Sequence, residues 1–343
     1  MELESLMQES IKIMEDEFYK KEFSFSYSSL NKLLWSPAAF YQIYVQGIRE
    51  EKTESHLVQG KIIHALLLEP DNFNKNFIIS PDNLPTGNLK TLVDRVFNHH
   101  LELKQHGDVR ENLDQFSDAI LDVLKDMNYH QSLKTDQQRF DKVILPETIS
   151  YWNYLKNKGN KTLIDQASYD FCHNAVELIK TDTSITKLLG IGVSDFENKE
   201  VYNELFIDLK IPSKAVGIKG IIDNIVIDHD KRIVFINDIK TTSKDLKDFK
   251  ESVEFYSYWL QAAIYATLVA LKYENLFEEH NYRLEFRFVV IDRMFQTYPF
   301  LVTDTTLQDW FDKFTEALTK AEWHYTNKQY TLPYDFAKQN VVL

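Results

Sequence analysis

The sequence contains a single cysteine, Cys172, among its 343 residues. One thiol excludes a disulfide framework, a zinc site made of Cys-x-x-Cys pairs and a cysteine-ligated iron–sulfur cluster. This composition suits the reducing cytoplasm, where structural disulfides are rare.

Long apolar runs, a targeting signal and a phosphate-binding loop are also missing. No stretch approaches the ~20 apolar residues that a membrane-spanning helix needs. The start, MELESLMQESIKIMEDEF, is acidic and lacks the basic and apolar regions of a signal peptide. No glycine-rich motif of the P-loop type occurs, so ATP hydrolysis is not indicated. We therefore expect no membrane partner.

The chain lacks positive charge overall, with a formal net charge of -13. This argues against a general polyanion binder, because contacts to phosphates come from Lys and Arg. The segment Lys210–Lys250 differs, since its nine Lys and Arg residues against six Asp residues give +3 (9 − 6). Both an acidic metal site with a basic surround and a solvated hairpin would produce this pattern.

The sequence pattern predicts one α/β domain over residues 1–343, with no internal repeat and no Gly/Ser linker. Residues 1–195 read as a mainly helical part that carries His64, and residues 196–343 as a sheet core. The predicted elements of the helical part are helices near residues 3–18, 60–70, 88–103, 110–126 and 161–188. Those of the core are strands Val201–Lys210, Val216–Asp228 and Ile233–Lys240, helix Phe255–Tyr273, strands Arg283–Asp292 and Phe295–Val302, and a closing helix to about Tyr325.

Acidic residues interrupt the two apolar arms of the hairpin Gly220–Ser243. Residues two apart in a strand share a face, so Asp238 and Lys240 lie side by side. An antiparallel pairing would bring Asp223 close to Asp238, and two carboxylates can hold a hard divalent cation such as Mg²⁺. For Asp238 and Lys240 alone, a weak surface ion pair remains the alternative. Asp223 within so apolar a strand needs a partner.

Three further polar residues are candidates for the same site. Gln261 and Tyr265 are four apart on a predicted helix and share one face. The alternative for this pair is a helix surface or a core hydrogen bond. His64 in the apolar helix GKIIHALLLEP is either a buried core histidine or a third metal ligand. The other histidines of the first half, His99, His100 and His106, lie in a polar helical stretch, and we expect them to be solvated.

Taken in chain order, these motifs resemble the PD-(D/E)XK nuclease superfamily in its RecB-like form. The motifs are Gly60…His64, Gly-Ile-Ile-Asp223, Asp238-Ile-Lys240 and Gln261…Tyr265, together with the early Tyr27-Ser28-Ser29-Leu30 and the strand pair Arg283–Val302. Within the superfamily, the sequence is similar to phage-type exonucleases such as the nuclease domain of exodeoxyribonuclease VIII (RecE). The resemblance covers roughly residues 25–75 and 200–303, and nothing matches residues 81–195.

The resemblance implies a restriction-endonuclease-like fold, in which helices flank a mixed central sheet, and a role for each motif residue. His64, Asp223 and Asp238 correspond to metal ligands, with the carbonyl of Ile239 as a fourth. Lys240 corresponds to the catalytic lysine, which acts with Asp223 and Asp238, and Gln261 and Tyr265 correspond to a supporting helix motif. Glu204 stands where relatives often carry an acid, and its membership in the site stays open.

The resemblance further implies a Mg²⁺-dependent exonuclease, with Mn²⁺ as a substitute, that acts on double-stranded DNA ends in recombination or phage DNA processing. Its implied partners are DNA, a single-strand annealing protein and further copies of the chain in a ring. The implied setting is the cytoplasm of a bacterium or a phage-infected host cell. Two alternatives stay open: a non-catalytic DNA-binding or assembly protein with the same fold, and a structure-specific endonuclease.

Overall fold

A computed structural model describes residues 13–48, 55–81, 83–192, 194, 197–339 and 341. The chain divides into two compact units. One unit combines Met1–Glu69 with Ala175–Leu343, and the other is Pro70–Asn174. The strands that carry the acidic motifs and the helix that carries His64 all belong to the first unit.

The first unit contains a mixed six-stranded sheet. Its strands are β1 Ser24–Phe25, β4 Lys199–Lys210, β5 Gly217–Asp228, β6 Ile233–Thr241, β7 Arg283–Ile291 and β8 Thr297–Val302. β5 is antiparallel to β4 and β6, β6 is parallel to β7, and β7 is antiparallel to β8. β1 is parallel to the start of β5. The expectation of a mixed central sheet flanked by helices is therefore confirmed.

Helices complete the first unit and bury one face of the sheet. They are α1 (residues 13–20), α2 Tyr27–Trp35, α3 Pro37–Phe40, α4 Ser55–Leu68, α11 Thr183–Leu188, α12 Phe249–Phe255, α13 Tyr258–Lys272, α14 Glu274–Glu278, α15 Asp304–Asn327 and α16 Tyr334–Ala337. The main apolar core combines β-branched residues of β5 and β6 with α13, whose Leu260, Ile264 and Leu268 are fully buried. This packing covers the side of the sheet on which the acids lie.

The second unit has its own apolar core. Its elements are α5 Phe73–Asn76, β2 Phe77–Ile79, α6 Gly87–Gln105, α7 Ser117–Asp126, α8 Asp136–Asp141, α9 Pro146–Lys158 and β3 Thr162–Ile164; α10 Gln166–Thr181 starts there. β2 and β3 pair in parallel. The core packs Trp152 and Phe116 with apolar residues of α6 and α7.

One expectation about this unit is wrong. His99 and His106 are exposed, but His100 is buried against Trp152 and Phe116. Burial lowers the pKa of His100, so the ring is a neutral part of an aromatic core. The polar composition of α6 hides this position, because one buried residue per turn leaves most of the helix polar.

Two predicted helices start later than expected. Ser257 takes a left-handed conformation with φ 57, so the expected helix Phe255–Tyr273 starts at Tyr258 as α13, and the separate helix α12 precedes it. The expected helix 161–188 begins instead with β3, which pairs with β2. The start of the expected helix 3–18 lies outside the described residues. Within the described part of the chain, no helix is long and apolar enough to cross a membrane.

Candidate metal and catalytic site

The site lies where one edge of β5 loses its neighbouring strand. β4 covers one edge of β5 between Gly217 and Asp228. On the other edge, β1 pairs only with Gly217 and Ile218, and β6 pairs only from Asn224 onward. No described strand pairs with residues 219–223 on that edge. We call this opening the β5 gap.

Asp223 is the last residue of the β5 gap, and its side chain replaces the missing backbone pairing. The pair Asn224–Asn237 ends the ladder between β5 and β6, so the register places Asp223 next to Asp238. Instead of a ladder bond, the backbone N–H of Ile239 donates to Asp223 Oδ2 at 2.7 Å. The buried carboxylate thereby ties β5 to β6 at the point where their backbones part.

Glu204 lies opposite Asp223 on the neighbouring strand. The flanking pairs Asn203–Asn224 and Leu205–Ile222 fix this register, but Glu204 itself makes no ladder pair. Its φ is +47, a left-handed value that is uncommon for residues other than glycine and asparagine. Such backbone conformations cluster at functional sites. The kink turns Glu204 toward Asp223 and towards α4.

His64 faces both acids through one ring nitrogen. Its Nε2 lies 3.0 Å from the carbonyl oxygen of Ile239, so Nε2 carries the hydrogen and donates. Its Nδ1 lies 3.5 Å from Glu204 Oε1 and 3.8 Å from Asp223 Oδ2. His64, Glu204 and Asp223 each offer one potential ligand atom, and these three atoms lie within 4.8 Å of one another. Burial lowers the pKa of His64, but Asp223 and Glu204 raise it to about 9.

Asp238 and Lys240 form a buried ion pair beside this group. Lys240 Nζ lies 2.5 Å from Asp238 Oδ2, and the Asp238 side chain is 0% exposed. Apart from this ammonium, no described group donates a hydrogen bond to either carboxylate oxygen of Asp238. Burial raises the pKa of Asp238 to about 6, although Lys240 opposes the change. Burial lowers the pKa of Lys240, but Asp238 and Asp223 bring it above its ordinary value.

Gln261 and Tyr265 lie on the face of α13 that covers these acids. Both residues are buried, and Gln261 Nε2 donates to the Tyr265 hydroxyl oxygen at 3.0 Å. Burial raises the pKa of Tyr265, and the carboxylates of Asp238 and Asp223 raise it further. The phenol therefore stays protonated beside the carboxylates. It can donate a hydrogen bond, but it cannot act as a base.

Gly220 lets α13 approach β5 closely enough to place Tyr265. A Cβ atom at Gly220 would lie 2.7 Å from Tyr265 Cε1. We expect Gly220→Ala to displace the ring and to lower the free energy of unfolding by about 1–3 kcal/mol. If catalysis depends on the position of Tyr265, kcat should fall by roughly 10- to 100-fold.

A double-mutant cycle of nuclease activity and thermal melting tests this steric origin. In a Tyr265→Ala background, Gly220→Ala should lower kcat and the melting temperature little further, because the clashing ring is gone. Full additivity of the two substitutions would contradict this explanation.

The structure brings together the residues that the sequence singled out. His64, Asp223, Asp238, Lys240 and the backbone of Ile239 meet at the β5 gap, with Gln261 and Tyr265 beside them. Two details add to the sequence prediction. Glu204, whose place was open, lies with His64 and Asp223 in one group of potential ligand atoms, and the Ile239 carbonyl contacts His64.

The donor set fits a hard divalent cation. Mg²⁺ and Mn²⁺ favour carboxylate oxygens, and an imidazole nitrogen is compatible with Mn²⁺. Lys240 is the one described partner of the buried Asp238 carboxylate, which is few, because buried carboxylates ordinarily accept several hydrogen bonds or coordinate metals. A cation near Asp223 and Asp238 would account for this.

Sequence reasoning did not use the asparagines next to the acids. The dipeptides Asn203-Glu204, Asp223-Asn224 and Asn237-Asp238 occur on three strands that are neighbours in the sheet. This repeated pairing of an acid with an asparagine was the sequence pattern that could have indicated their role.

A protein-family model matches most of the chain. The family model described as the PD-(D/E)XK nuclease superfamily matches residues 24–330. Among solved structures, the chain is similar to a "Putative exonuclease" from Eubacterium rectale, with 13% identity and a TM-score of 0.45. That alignment covers 93% of this chain and 89% of the other. A search of curated proteins finds no match.

Proposed function

The chain belongs to the PD-(D/E)XK nuclease superfamily, and from this premise we propose that it is a metal-dependent exonuclease of double-stranded DNA ends. The observation that carries the proposal is the buried Asp238–Lys240 pair beside Asp223, His64 and Glu204. A buried carboxylate whose one described partner is a single ammonium is costly for folding. Its place next to Lys240 and the other acids supports a catalytic role.

We propose that His64, Glu204, Asp223 and Asp238 hold Mg²⁺, for which Mn²⁺ substitutes. A divalent cation bound there would lower the pKa of a water molecule and neutralise charge on a phosphate. The hydrogen bond from His64 Nε2 to Ile239 keeps Nδ1 directed at the acids. This orientation of a metal-binding histidine by a backbone carbonyl is a common arrangement.

The remaining residues act on the substrate through hydrogen bonds and charge. Lys240, held beside Asp238, donates to the attacking water or to a phosphate oxygen as negative charge develops there. Tyr265, held by Gln261, places a second donor on the same side of the sheet. Tyr265 is buried and the Lys240 side chain is only 14% exposed, so both keep their geometry while the phosphodiester bond breaks.

A row of aromatic rings leads from Lys240 to solvent and supports nucleic acid as the substrate. Lys240 Nζ lies 5.0 Å from the centre of the Tyr258 ring, which stacks on Tyr256 at 5.4 Å. Phe255 contacts Tyr256 at 4.9 Å and is 79% exposed. The Tyr27 hydroxyl donates to the Tyr256 carbonyl and fixes this turn. Exposed rings next to a phosphate site can stack on nucleobases of any sequence.

Phe255→Ala is expected to raise KM for DNA roughly 10-fold, because a stacked base contributes about 1–3 kcal/mol. Phe255→Trp should keep KM near the native value. Trp35→Ala is the matched control, since Trp35 is also largely exposed but is not in the row. Equal effects of Phe255→Ala and Trp35→Ala on steady-state kinetics would exclude a specific role for the row.

The finer features of the proposal rest on the family resemblance. They are an activity similar to exodeoxyribonuclease VIII, a role in recombination or phage DNA processing, a single-strand annealing protein as a partner, a homo-oligomeric ring and a cytoplasmic location. We also propose that both compact units act as one nuclease, which is supported by a family match that spans them.

The proposed function is tested with end-labelled linear duplex DNA and covalently closed circular DNA, each with Mg²⁺ or EDTA. We expect Mg²⁺-dependent release of label from the linear DNA and no cleavage of the circle. Cleavage of the circle would identify an endonuclease instead. Binding of DNA without cleavage of any substrate would identify a non-catalytic binding protein.

A further inference from the structure

Three asparagines form a hydrogen-bonded row across the sheet, directly behind the acids. Asn203, Asn224 and Asn237 lie in register on β4, β5 and β6. Asn237 Nδ2 donates to Asn224 Oδ1 at 2.7 Å, and Asn224 Nδ2 donates to Asn203 Oδ1 at 2.7 Å. We call these residues the amide ladder. Each is the chain neighbour of one acid: Glu204, Asp223 or Asp238.

The amide ladder also binds the ends of two helices. Asn203 Nδ2 donates to the carbonyl of Leu68, the last residue of α4, at 2.9 Å. Asn224 and Asn237 donate to the carbonyls of Leu189 and Leu188 at the end of α11. Carbonyls at helix C-termini lack partners within the helix. The ladder therefore connects the helix of His64 to the three strands that carry the acids.

Hydrogen bonds to the helix carbonyls explain only part of this arrangement. Asn224 and Asn237 are fully buried, and Asn237 Oδ1 accepts no hydrogen bond from the described residues. Two residues away on the same face, Val226 and Phe235 pack in a small apolar cluster. The amide row therefore carries a buried unpaired acceptor in surroundings that are otherwise apolar, which is costly.

The place of the ladder suggests a different purpose. The pairing of β5 with β6 ends at Asn224–Asn237, one residue before Asp223 and Asp238. Among the described residues, the ladder is therefore the side chain to side chain connection of these strands next to the β5 gap, and the bond from Ile239 N–H to Asp223 follows it. A sideways or axial shift of either strand would separate its acid from His64.

We propose that the amide ladder is a positioning device that sets the spacing of Glu204, Asp223, Asp238 and His64 for one divalent cation. This inference rests on the proposed metal-dependent function. Residues without any contact to cation or DNA thereby control the affinity for the cation. Chains of amides polarise one another, which stiffens such a row.

The test measures Mn²⁺ binding to the folded protein by calorimetry and electron paramagnetic resonance, alongside thermal melting. Asn224→Leu removes two hydrogen bonds donated in the middle of the row. Asn203→Leu changes the half-buried end of the row, where a substitution disturbs folding less. We expect each to weaken Mn²⁺ binding roughly 10-fold or more, the usual effect of groups that orient metal ligands. kcat should fall, while KM for DNA stays near the native value.

Val226→Ala is the matched control, because it removes buried volume from the same strand and face without touching an amide. It should lower the melting temperature and leave Mn²⁺ affinity unchanged. The inference is overturned if the asparagine variants melt earlier but bind Mn²⁺ as tightly as Val226→Ala. If His64→Ala does not weaken Mn²⁺ binding by the native protein, the proposed metal site itself fails, and the ladder inference with it.

Discussion

Lys240→Met is expected to lower kcat on linear duplex DNA roughly 1,000-fold, within the range typical for loss of a proton-transferring or charge-stabilising group. Methionine keeps the length of the side chain and removes the ammonium. KM should change little, because Lys240 lies deep beside Asp238 and only 14% of its side chain is exposed. Steady-state kinetics on end-labelled DNA measures both constants.

A less stable Lys240→Met protein could lose activity by unfolding, and removal of both charges of the ion pair provides the control. Lys240→Met leaves the carboxylate of Asp238 buried without a partner, which should destabilise the protein by about 3 kcal/mol. Asp238→Asn combined with Lys240→Met removes both charges and should restore most of that stability but none of the activity. Lys244→Met removes a more exposed lysine that pairs with Glu251 and should have no effect. Activity in the stable double variant would contradict a catalytic role for Lys240.

The sheet was predictable because its strands carry a local signal. Three β-branched runs with a short turn between the second and third give β4, β5 and β6 with bounds close to those observed. Residues two apart in β6, Asp238 and Lys240, do lie side by side, since this strand is regular. The later start of α13 at Tyr258 was missed because Ser257 resembles an ordinary helix residue in sequence, while only its backbone is left-handed.

Most residues of the site could be predicted from the sequence, but the place of Glu204 depends on irregular backbone. Apolar alternation assigns faces in a regular strand, but Ile222 and Ile225 both lie in the main core although they are three apart. Together with the positive φ of Glu204, this irregularity decides which acids meet. Composition does not reveal such a kink, and so the place of Glu204 was open. The division into two units was hidden because the segment Pro70–Asn174 is as helical as the residues before it.

Glu204→Gln is expected to weaken Mn²⁺ binding by roughly 10- to 100-fold and to abolish most nuclease activity at low metal concentration. The substitution keeps the shape of the side chain but removes one of the two carboxylates next to His64 Nδ1. Asp223→Asn should have an equal or larger effect, and its Oδ1 can still accept the hydrogen bond of Ile239. Asp228→Asn is the matched control, because Asp228 is a buried acid on β5 that pairs with Lys231 far from the β5 gap.

Thermal melting with and without Mn²⁺ decides between two ligand sets for the proposed cation. At 100 times its dissociation constant, a cation bound only to the folded protein adds about 2.7 kcal/mol of stability. We expect Glu204→Gln and Asp223→Asn to lose this increment at the same concentration and Asp228→Asn to keep it. If Glu204→Gln keeps it and Asp238→Asn loses it, the cation is held by His64, Asp223, Asp238 and the Ile239 carbonyl. Glu204 would then act only on the charge of His64, and the Ile239 carbonyl would have to release Nε2 when the metal binds.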